Sequence, residues 1–184
     1  MENIRISDLA HFFKGKNYKQ VPGGAVPVYN IGGRCDSTDT SICDKPCIAI
    51  GTTGTIGKPR LFNPPYWITG TQIYIVPKEH VDLFFLFAVI DDMDFTIFQN
   101  KFAVRDDLDE FKFKNYEVPL LPLQEQQRIG STYMRICHEI EREQQALTIA
   151  KHFKNVMLTG MFVDTSEDQP KCYDLKGCRA GVQE

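Results

Sequence analysis

The chain has 184 residues, of which 42% are hydrophobic and 24% are charged, the length and composition of one globular domain with an appendage. It contains no run of about 18 apolar residues, which argues against a transmembrane helix. Residues 1–8 lack the basic and apolar regions of a secretion signal. We therefore expect a cytoplasmic protein without a membrane span.

The six cysteines are expected to be thiols, because the cytoplasm is reducing. Cys43 and Cys47 are four residues apart, Cys172 and Cys178 are six apart, and no Cys-x-x-Cys pair occurs. Neither spacing is typical of a zinc site. We expect no metal ion and no other cofactor.

The net charge of -3 hides an uneven distribution. Residues 1–70 carry eight basic and five acidic residues, whereas residues 79–110 carry two basic and nine acidic ones. A weakly basic N-terminal face could meet phosphate groups while an acidic face points elsewhere. Charge alone is equally compatible with an ordinary solvated surface.

The first 120 residues read as a strand-rich α+β domain with long, glycine-bearing loops. Residues 4–13 open it as a short strand or helical turn. Apolar residues at three- and four-residue steps predict a helix over residues 81–90. Strands are predicted over residues 26–31, 46–50, 72–76 and 111–118.

After Leu123 the apolar residues alternate at steps of four and three. This 3.5-residue repeat is that of a coiled-coil seam and predicts one long helix, in which residues 124–162 would span roughly 58 Å. Glu143 and Lys154 occupy two seam positions, where a polar residue costs stability but helps to fix register. The apolar seam positions are Ile129, Tyr133, Ile136, Ile140, Leu147, Ala150, Met157 and Met161.

The expected organisation has three parts. Residues 1–122 form the strand-rich domain, and residues 123–162 form the long helix. Residues 163–184 are polar and charged without a period, so we expect a disordered tail there.

One glycine-rich block invites comparison with a nucleotide-binding loop. Residues 51–58 (Gly-Thr-Thr-Gly-Thr-Ile-Gly-Lys) follow a strand, as a phosphate-binding loop would. Gly51 and Gly57 are one residue too far apart for that motif, however, and Pro59 replaces the required hydroxyl residue. The simpler interpretation is a turn that lets the backbone come close to another chain or to a phosphate backbone.

Residues 63–66 spell Asn-Pro-Pro-Tyr, the active-site motif of amino-methyltransferases that act on DNA. The preceding 62 residues contain no glycine fingerprint and no alternating strand–helix pattern for a cofactor, so we interpret the motif as a turn of two prolines. We expect no catalytic residues and no enzymatic activity. None of the four histidines has a local partner that would mark it as a catalytic base; they are His11, His80, His138 and His152.

Taken in order, five segments resemble the specificity (S) subunit of type I restriction-modification enzymes, over residues 4–162. The most specific is Val118-Pro119-Leu120-Leu121-Pro122-Leu123-Gln124-Glu125-Gln126-Gln127-Arg128-Ile129. The others are Ile4-Arg5-Ile6-Ser7-Asp8-Leu9, Val26-Pro27-Val28-Tyr29-Asn30-Ile31-Gly32-Gly33, Ile48-Ala49-Ile50-Gly51-Thr52-Thr53-Gly54-Thr55-Ile56-Gly57 and Trp67-Ile68-Thr69-Gly70-Thr71-Gln72. The chain departs from the family pattern over residues 100–107, where a small-residue, proline-bearing turn is common.

The resemblance implies a target-recognition domain followed by a conserved spacer helix. Family members usually carry two such units in one chain, with antiparallel spacer helices; each domain reads half of a split DNA sequence, and conserved regions hold methyltransferase subunits. This chain has one unit and resembles a half-subunit, natural or truncated. Its expected partners are double-stranded DNA, methyltransferase subunits and a second copy, with the restriction subunit as a further candidate. The expected dimer interface is Ile129, Tyr133, Ile136, Ile140, Leu147 and Ala150.

Basic residues that flank predicted loops are candidates for phosphate contact, namely Lys14, Lys16, Arg34, Lys58 and Arg60. Side chains that match base edges are candidates for sequence reading, namely Asn30, Thr52, Thr53, Thr69 and Gln72. Two other classes stay open. One is a protein-interaction module that works through its coiled coil, and the other is a methyltransferase fragment, which rests only on residues 63–66.

Overall fold

The computed structural model describes residues 3–100 and 107–162. The chain divides into two compact units, residues 1–140 and 141–184. Within the described residues, the first unit contains nine strands, three short α-helices and one 3-10 helix, and the long helix α4 (Leu123–Phe162) begins there. The predicted fold class, a strand-rich α+β domain followed by one long helix, is confirmed.

The described elements follow one another in this order along the chain. The strands are β1 (Asn3–Arg5), β2 (Ala10–Lys14), β3 (Val26–Asn30), β4 (Gly33–Thr38), β5 (Cys47–Gly51), β6 (Arg60–Phe62), β7 (Trp67–Ile68), β8 (Gln72–Pro77) and β9 (Glu117–Pro119). The helices that precede α4 are α1 (Ile6–Leu9), α2 (Leu83–Asp91), a 3-10 helix (Phe95–Phe98) and α3 (Glu110–Lys114).

The strands form three sheets. An antiparallel sheet has the spatial order β2-β8-β5-β6. A second sheet has the order β4-β3-β7, in which β3 pairs antiparallel with β4 and parallel with β7. β1 and β9 pair antiparallel, with Ile4 opposite Val118. This last ladder holds the start of the domain against the segment that leads into α4.

The central strands β5 and β8 are buried on both faces, which is why their sequences are continuous apolar runs rather than alternating ones. Ile48 and Ile75 face a core formed with α1, α2, α3 and the 3-10 helix. Ala49 and Tyr74 face a second core. That second core includes Phe62, Tyr66 and Ile68.

The predicted strands at residues 26–31, 46–50 and 72–76 and the helix at residues 81–90 are confirmed as β3, β5, β8 and α2. The predicted strand over residues 111–118 is wrong over most of its length, because residues 110–114 form α3. The Asp109 side chain caps this helix by accepting a hydrogen bond from the Lys112 amide at 3.0 Å. Phe111 is exposed and Phe113 is buried. Residues two positions apart in a strand lie on the same face, so this difference in exposure fits a helix and not a strand.

The start of α4 is docked on α2 by one buried glutamine. The Gln126 side chain is 1% exposed. Its Oε1 accepts from the Asp82 amide at 2.9 Å, and its Nε2 donates to the Leu121 carbonyl at 2.8 Å and to the His80 carbonyl at 3.4 Å. These three hydrogen bonds join α4 to residues 80–82, which lead into α2, and to Leu121, which lies just before α4.

Gly130 lies one turn after Gln126 on the same face and allows α4 to contact the first turn of α2. A Cβ atom there would lie 2.5 Å from the Phe85 amide nitrogen and 2.6 Å from Asp82 Oδ1, which is closer than side-chain atoms tolerate. Farther along, the Tyr133 hydroxyl donates to Asp91 at 2.5 Å and its ring packs edge-on against Phe87. Gln126, within the most specific segment, and Gly130, which directly follows that segment, therefore dock α4 on α2.

None of the described helices is both long enough and apolar enough to cross a membrane. The predicted tail over residues 163–184 lies outside the described residues. So does most of the segment over residues 100–107 that departs from the family pattern.

Candidate nucleic-acid interface

Four loop segments meet at one edge of the domain, and we call them the loop cluster: residues 14–16, 30–34, 51–53 and 69–72. The sheet topology brings them together. β8 lies between β2 and β5 and runs antiparallel to both, so its first residues lie beside the last residues of its neighbours. In register, Lys14 pairs with Ile73 and Gly51 pairs with Gln72.

Backbone hydrogen bonds join the segments of the loop cluster. The Gly15 amide donates to the Gln72 carbonyl at 2.9 Å, and the Thr52 amide donates to the Thr71 carbonyl at 3.0 Å. The Thr69 amide donates to the Tyr29 carbonyl at 3.1 Å. Since each bond links segments distant in sequence, the loop cluster is held as one surface.

Two of the predicted base-reading residues lie beneath this surface. Gln72 is 3% exposed, and its Nε2 donates to the Tyr29 carbonyl at 3.0 Å. Thr52 is 9% exposed, and its hydroxyl donates to the Thr71 carbonyl at 3.0 Å. Their polar atoms are thus in use between the segments, which suits them to position the loops.

The other predicted base-reading residues are accessible. Asn30, Thr53 and Thr69 are each partly exposed. Asn30 Oδ1 accepts from the Gly32 amide at 2.7 Å. The prediction missed Thr71, an exposed residue whose hydroxyl lies 3.3 Å from that of Thr69. Its spacing of two from Thr69 was the available signal.

All five predicted phosphate-contact residues are exposed, at Lys14, Lys16, Arg34, Lys58 and Arg60. Within the described part of the chain, none of the five forms an ion pair. Arg60 approaches the β3–β4 turn, because its Nη1 lies 3.9 Å from where a Gly33 Cβ would stand. Four of these cations therefore belong to the loop cluster or reach it, while no described contact ties Lys58 to it.

The glycine-rich block after β5 is a turn packed on the chain's own core. Gly57 has a φ of +81°, and a Cβ there would lie 2.7 Å from the Phe95 side chain. The sequence predicted a close approach to another chain or to a phosphate backbone, whereas at Gly57 the close approach is made to Phe95 of the same domain.

The acidic stretch is less separate from the basic one than the sequence suggested. Asp94 and Asp109 each cap a helix. A hydrogen bond from Thr96 lowers the pKa of the Asp94 carboxyl, and a hydrogen bond from the Lys112 amide lowers that of Asp109. The backbone of Asp107 forms an isolated β-bridge with that of Thr53, which brings this acidic residue beside the loop cluster. The expectation that the acidic residues lie elsewhere therefore does not extend to the position of Asp107.

The Asn-Pro-Pro-Tyr segment forms a turn whose tyrosine belongs to the core. Tyr66 is fully buried, and its hydroxyl donates to the Lys45 carbonyl at 2.6 Å. Burial raises the pKa of Tyr66 well above its usual range. Burial also raises the pKa of the adjacent Cys47 thiol to about 12. Both groups are therefore held in their neutral forms.

The predicted dimer residues differ in exposure. Ile129 and Tyr133 are half-buried in the first unit. Ile136, Ile140, Leu147 and Ala150 are exposed, with values of 50–54% for the first three. Every described side chain over residues 141–159 is exposed.

The fold and the loop cluster define a class of protein in which a strand-rich domain gathers its polar loops at one edge and continues into a long helix. A family model described as "Type I restriction modification DNA specificity domain" matches residues 1–149, and the chain belongs to this family. No curated protein is significantly similar to the chain in sequence.

Solved structures share the fold. The S subunit of a type I restriction-modification system from M. genitalium matches with a TM-score of 0.60 at 16% identity, over 84% of this chain and 43% of that one. The HsdS subunit from Thermoanaerobacter tengcongensis matches with a TM-score of 0.58 at 15% identity, over 79% of this chain and 39% of that one. The chain therefore matches less than half the length of these S subunits.

Proposed function

We propose that the chain recognises a specific DNA sequence as a half-length specificity subunit of a type I restriction-modification system. The observation that carries the proposal is the loop cluster, which collects exposed cations and exposed hydrogen-bonding side chains on one surface. Phosphate contacts supply affinity and base-edge contacts supply sequence information, so a recognition surface needs both. The chain would act in the cytoplasm and determine which DNA sequence the complex recognises, without catalysing a reaction itself.

The residues of the loop cluster divide into two roles. Lys14, Lys16, Arg34 and Arg60 would contact phosphates, as would Lys58 beyond the cluster. Asn30, Thr53, Thr69 and Thr71 would contact base edges, and the Asn30 amide suits adenine. The buried Thr52 and Gln72 would hold the loops in place.

One domain reads too few base pairs to specify a genomic site, so a second copy is needed. The exposed apolar residues Ile136, Ile140, Leu147 and Met157 follow the 3.5-residue repeat of α4 and provide a seam for it. Two identical chains related by a dyad form an isologous interface. The function therefore includes a homodimer built on α4.

Charges along α4 favour an antiparallel arrangement. Residues 139–143 contain three glutamates and one arginine, whereas residues 144–162 contain two lysines and no acidic residue. Antiparallel helices bring the acidic segment of one copy to the basic segment of the other, while parallel helices oppose like charges.

A second apolar stripe supports the recruitment of methyltransferase subunits. Ile149, Phe153 and Val156 recur at steps of four and three, and their exposures are 69%, 65% and 51%. None of them is a position of the dimer seam, so a two-stranded pairing leaves much of this stripe uncovered. We assign it to helices of the methyltransferase subunits.

Binding to duplex DNA with and without methyltransferase subunits tests the proposal. Fluorescence anisotropy should show salt-dependent binding that becomes sequence-selective in the complex. Lack of binding in both cases would favour a protein-interaction module that works through α4. Light scattering at micromolar concentration should give the mass of a dimer, and a monomer mass would refute the pairing.

A further inference from the structure

Two charged residues interrupt the apolar seam of α4. Glu143 and Lys154 occupy positions of the 3.5-residue repeat, and both are exposed in the single chain. If a second helix covers this seam, each charge loses water and needs an opposite partner there. The partner that each one finds depends on the direction and the register of the second helix.

Geometry limits the possible registers. Seam residues repeat at steps of four and three, so an antiparallel copy matches its seam onto this one only in registers that differ by whole heptads. In one of them Leu147 faces Ala150 of the other copy, and Ile140 faces Met157. In that register Glu143 of each copy faces Lys154 of the other.

The competing arrangements leave both charges without partners. A shift of one heptad places Glu143 against Leu147 and Lys154 against Ile136, and the opposite shift places Lys154 against Ala150. A parallel pair places Glu143 against Glu143 and Lys154 against Lys154. Desolvated charges that are unpaired or that face like charges are costly, so these arrangements are disfavoured.

We propose that Glu143 and Lys154 pair across an antiparallel homodimer of this chain and fix its register, an inference that rests on the dimer of the proposed function. The dyad produces two such pairs, one on each side of the central layers formed by Leu147 and Ala150. Ile129 and Tyr133 then fall outside the overlap of the described helices. Tyr133 is indeed engaged with α2 of its own chain.

Charge reversal in the full chain tests the pairing. Glu143→Lys and Lys154→Glu should each raise the dimer dissociation constant by about tenfold or more, because each variant opposes like charges in both pairs. The double variant should return to within about threefold of the unchanged chain. A parallel dimer predicts little change in the single variants, and another antiparallel register predicts no rescue. Circular dichroism checks that α4 stays helical.

Crosslinking gives an independent readout in a background in which Cys35, Cys43, Cys137, Cys172 and Cys178 are replaced by serine and only the buried Cys47 is kept. A chain with Ile140→Cys, mixed with a differently tagged chain with Met157→Cys, should form the mixed disulfide on mild oxidation. In a parallel pair these positions lie about 25 Å apart, so that arrangement would instead link Ile140→Cys chains to one another. A monomeric unchanged chain would refute the dimer itself. A dimer that ignores charge reversal would refute only the register, and a dimer that links like positions would refute the antiparallel direction.

Discussion

The side-chain oxygen of Gln126, in the first turns of α4, accepts a 2.9 Å hydrogen bond from the backbone amide of Asp82, the residue that caps α2. The Asp82 carboxylate in turn accepts from the Phe85 amide at 2.8 Å. A single residue thus uses its backbone to hold α4 and its side chain to begin α2. The long helix is fixed to the domain at a helix terminus, where backbone amides would otherwise lack partners.

Replacing Gln126 by alanine should lower the free energy of unfolding by about 1–3 kcal/mol, because partly buried backbone groups of Asp82 and Leu121 lose their partner. Gln127→Ala is the matched control, since Gln127 is the exposed neighbour on the same helix. Urea denaturation followed by circular dichroism measures both. Equal effects of the two substitutions would contradict the docking role of Gln126.

Gly130→Ala should also destabilise the domain, by about 1–3 kcal/mol, although alanine is the better helix former. The added Cβ would displace α4 from the first turn of α2, at Phe85 and Asp82. Ser131→Ala, at an exposed position, should be nearly neutral. Thermal denaturation of the two variants measures this difference in stability. A Gly130→Ala variant with a raised melting temperature would argue against close contact between α4 and α2.

Arg60→Ala should weaken DNA binding and reduce its salt dependence. Because a homodimer loses the contact in both copies, the slope of log K against log salt should become less steep by about 1.8. Lys112→Ala provides a control, since Lys112 lies 3.4 Å from Asp109 and is already ion-paired. Titrations at several salt concentrations measure the slope. An unchanged slope in Arg60→Ala would remove this residue from the interface.

The stability of the domain should decline at alkaline pH through Cys47. Its pKa is raised from 9.0 to about 12, so the contribution of the neutral thiol is complete below pH 9 and is lost as the pH rises towards 12. Urea denaturation between pH 7 and pH 11 should show this decline, and Cys47→Ala should reduce it. A Cys47→Ala variant with the same pH dependence would assign the decline to other groups, such as the buried Tyr66.

The sequence predicted the elements whose environment is uniform along their length. β5 and β8 are covered on both faces, so their apolar runs identify them. β7 has two residues, too few for any period to develop, and α3 presents Phe111 to solvent and Phe113 to the core. The exposure of the candidate cations was predictable because they flank glycine-bearing loops, whereas the exposed Thr71 was missed.

Burial within the site could not be predicted in the same way. Gln72 and Thr52 look like surface hydrogen-bonding residues until the strand order places β8 between β2 and β5. Gln126 contacts Asp82, which is 44 residues away in the sequence, and no local sequence pattern predicts that contact. Only the three-dimensional arrangement separates the residues whose polar atoms join the loops from those whose side chains are exposed.

Selection of bound sequences from random duplex DNA, with methyltransferase subunits present, tests the central claim most directly. Two identical domains related by a dyad must read the same half-site in opposite orientations. The selected motif should therefore be an interrupted inverted repeat with one fixed gap length. Enrichment of a single half-site without a symmetric partner would contradict the dimeric arrangement, and no enrichment at all would contradict DNA recognition by this chain.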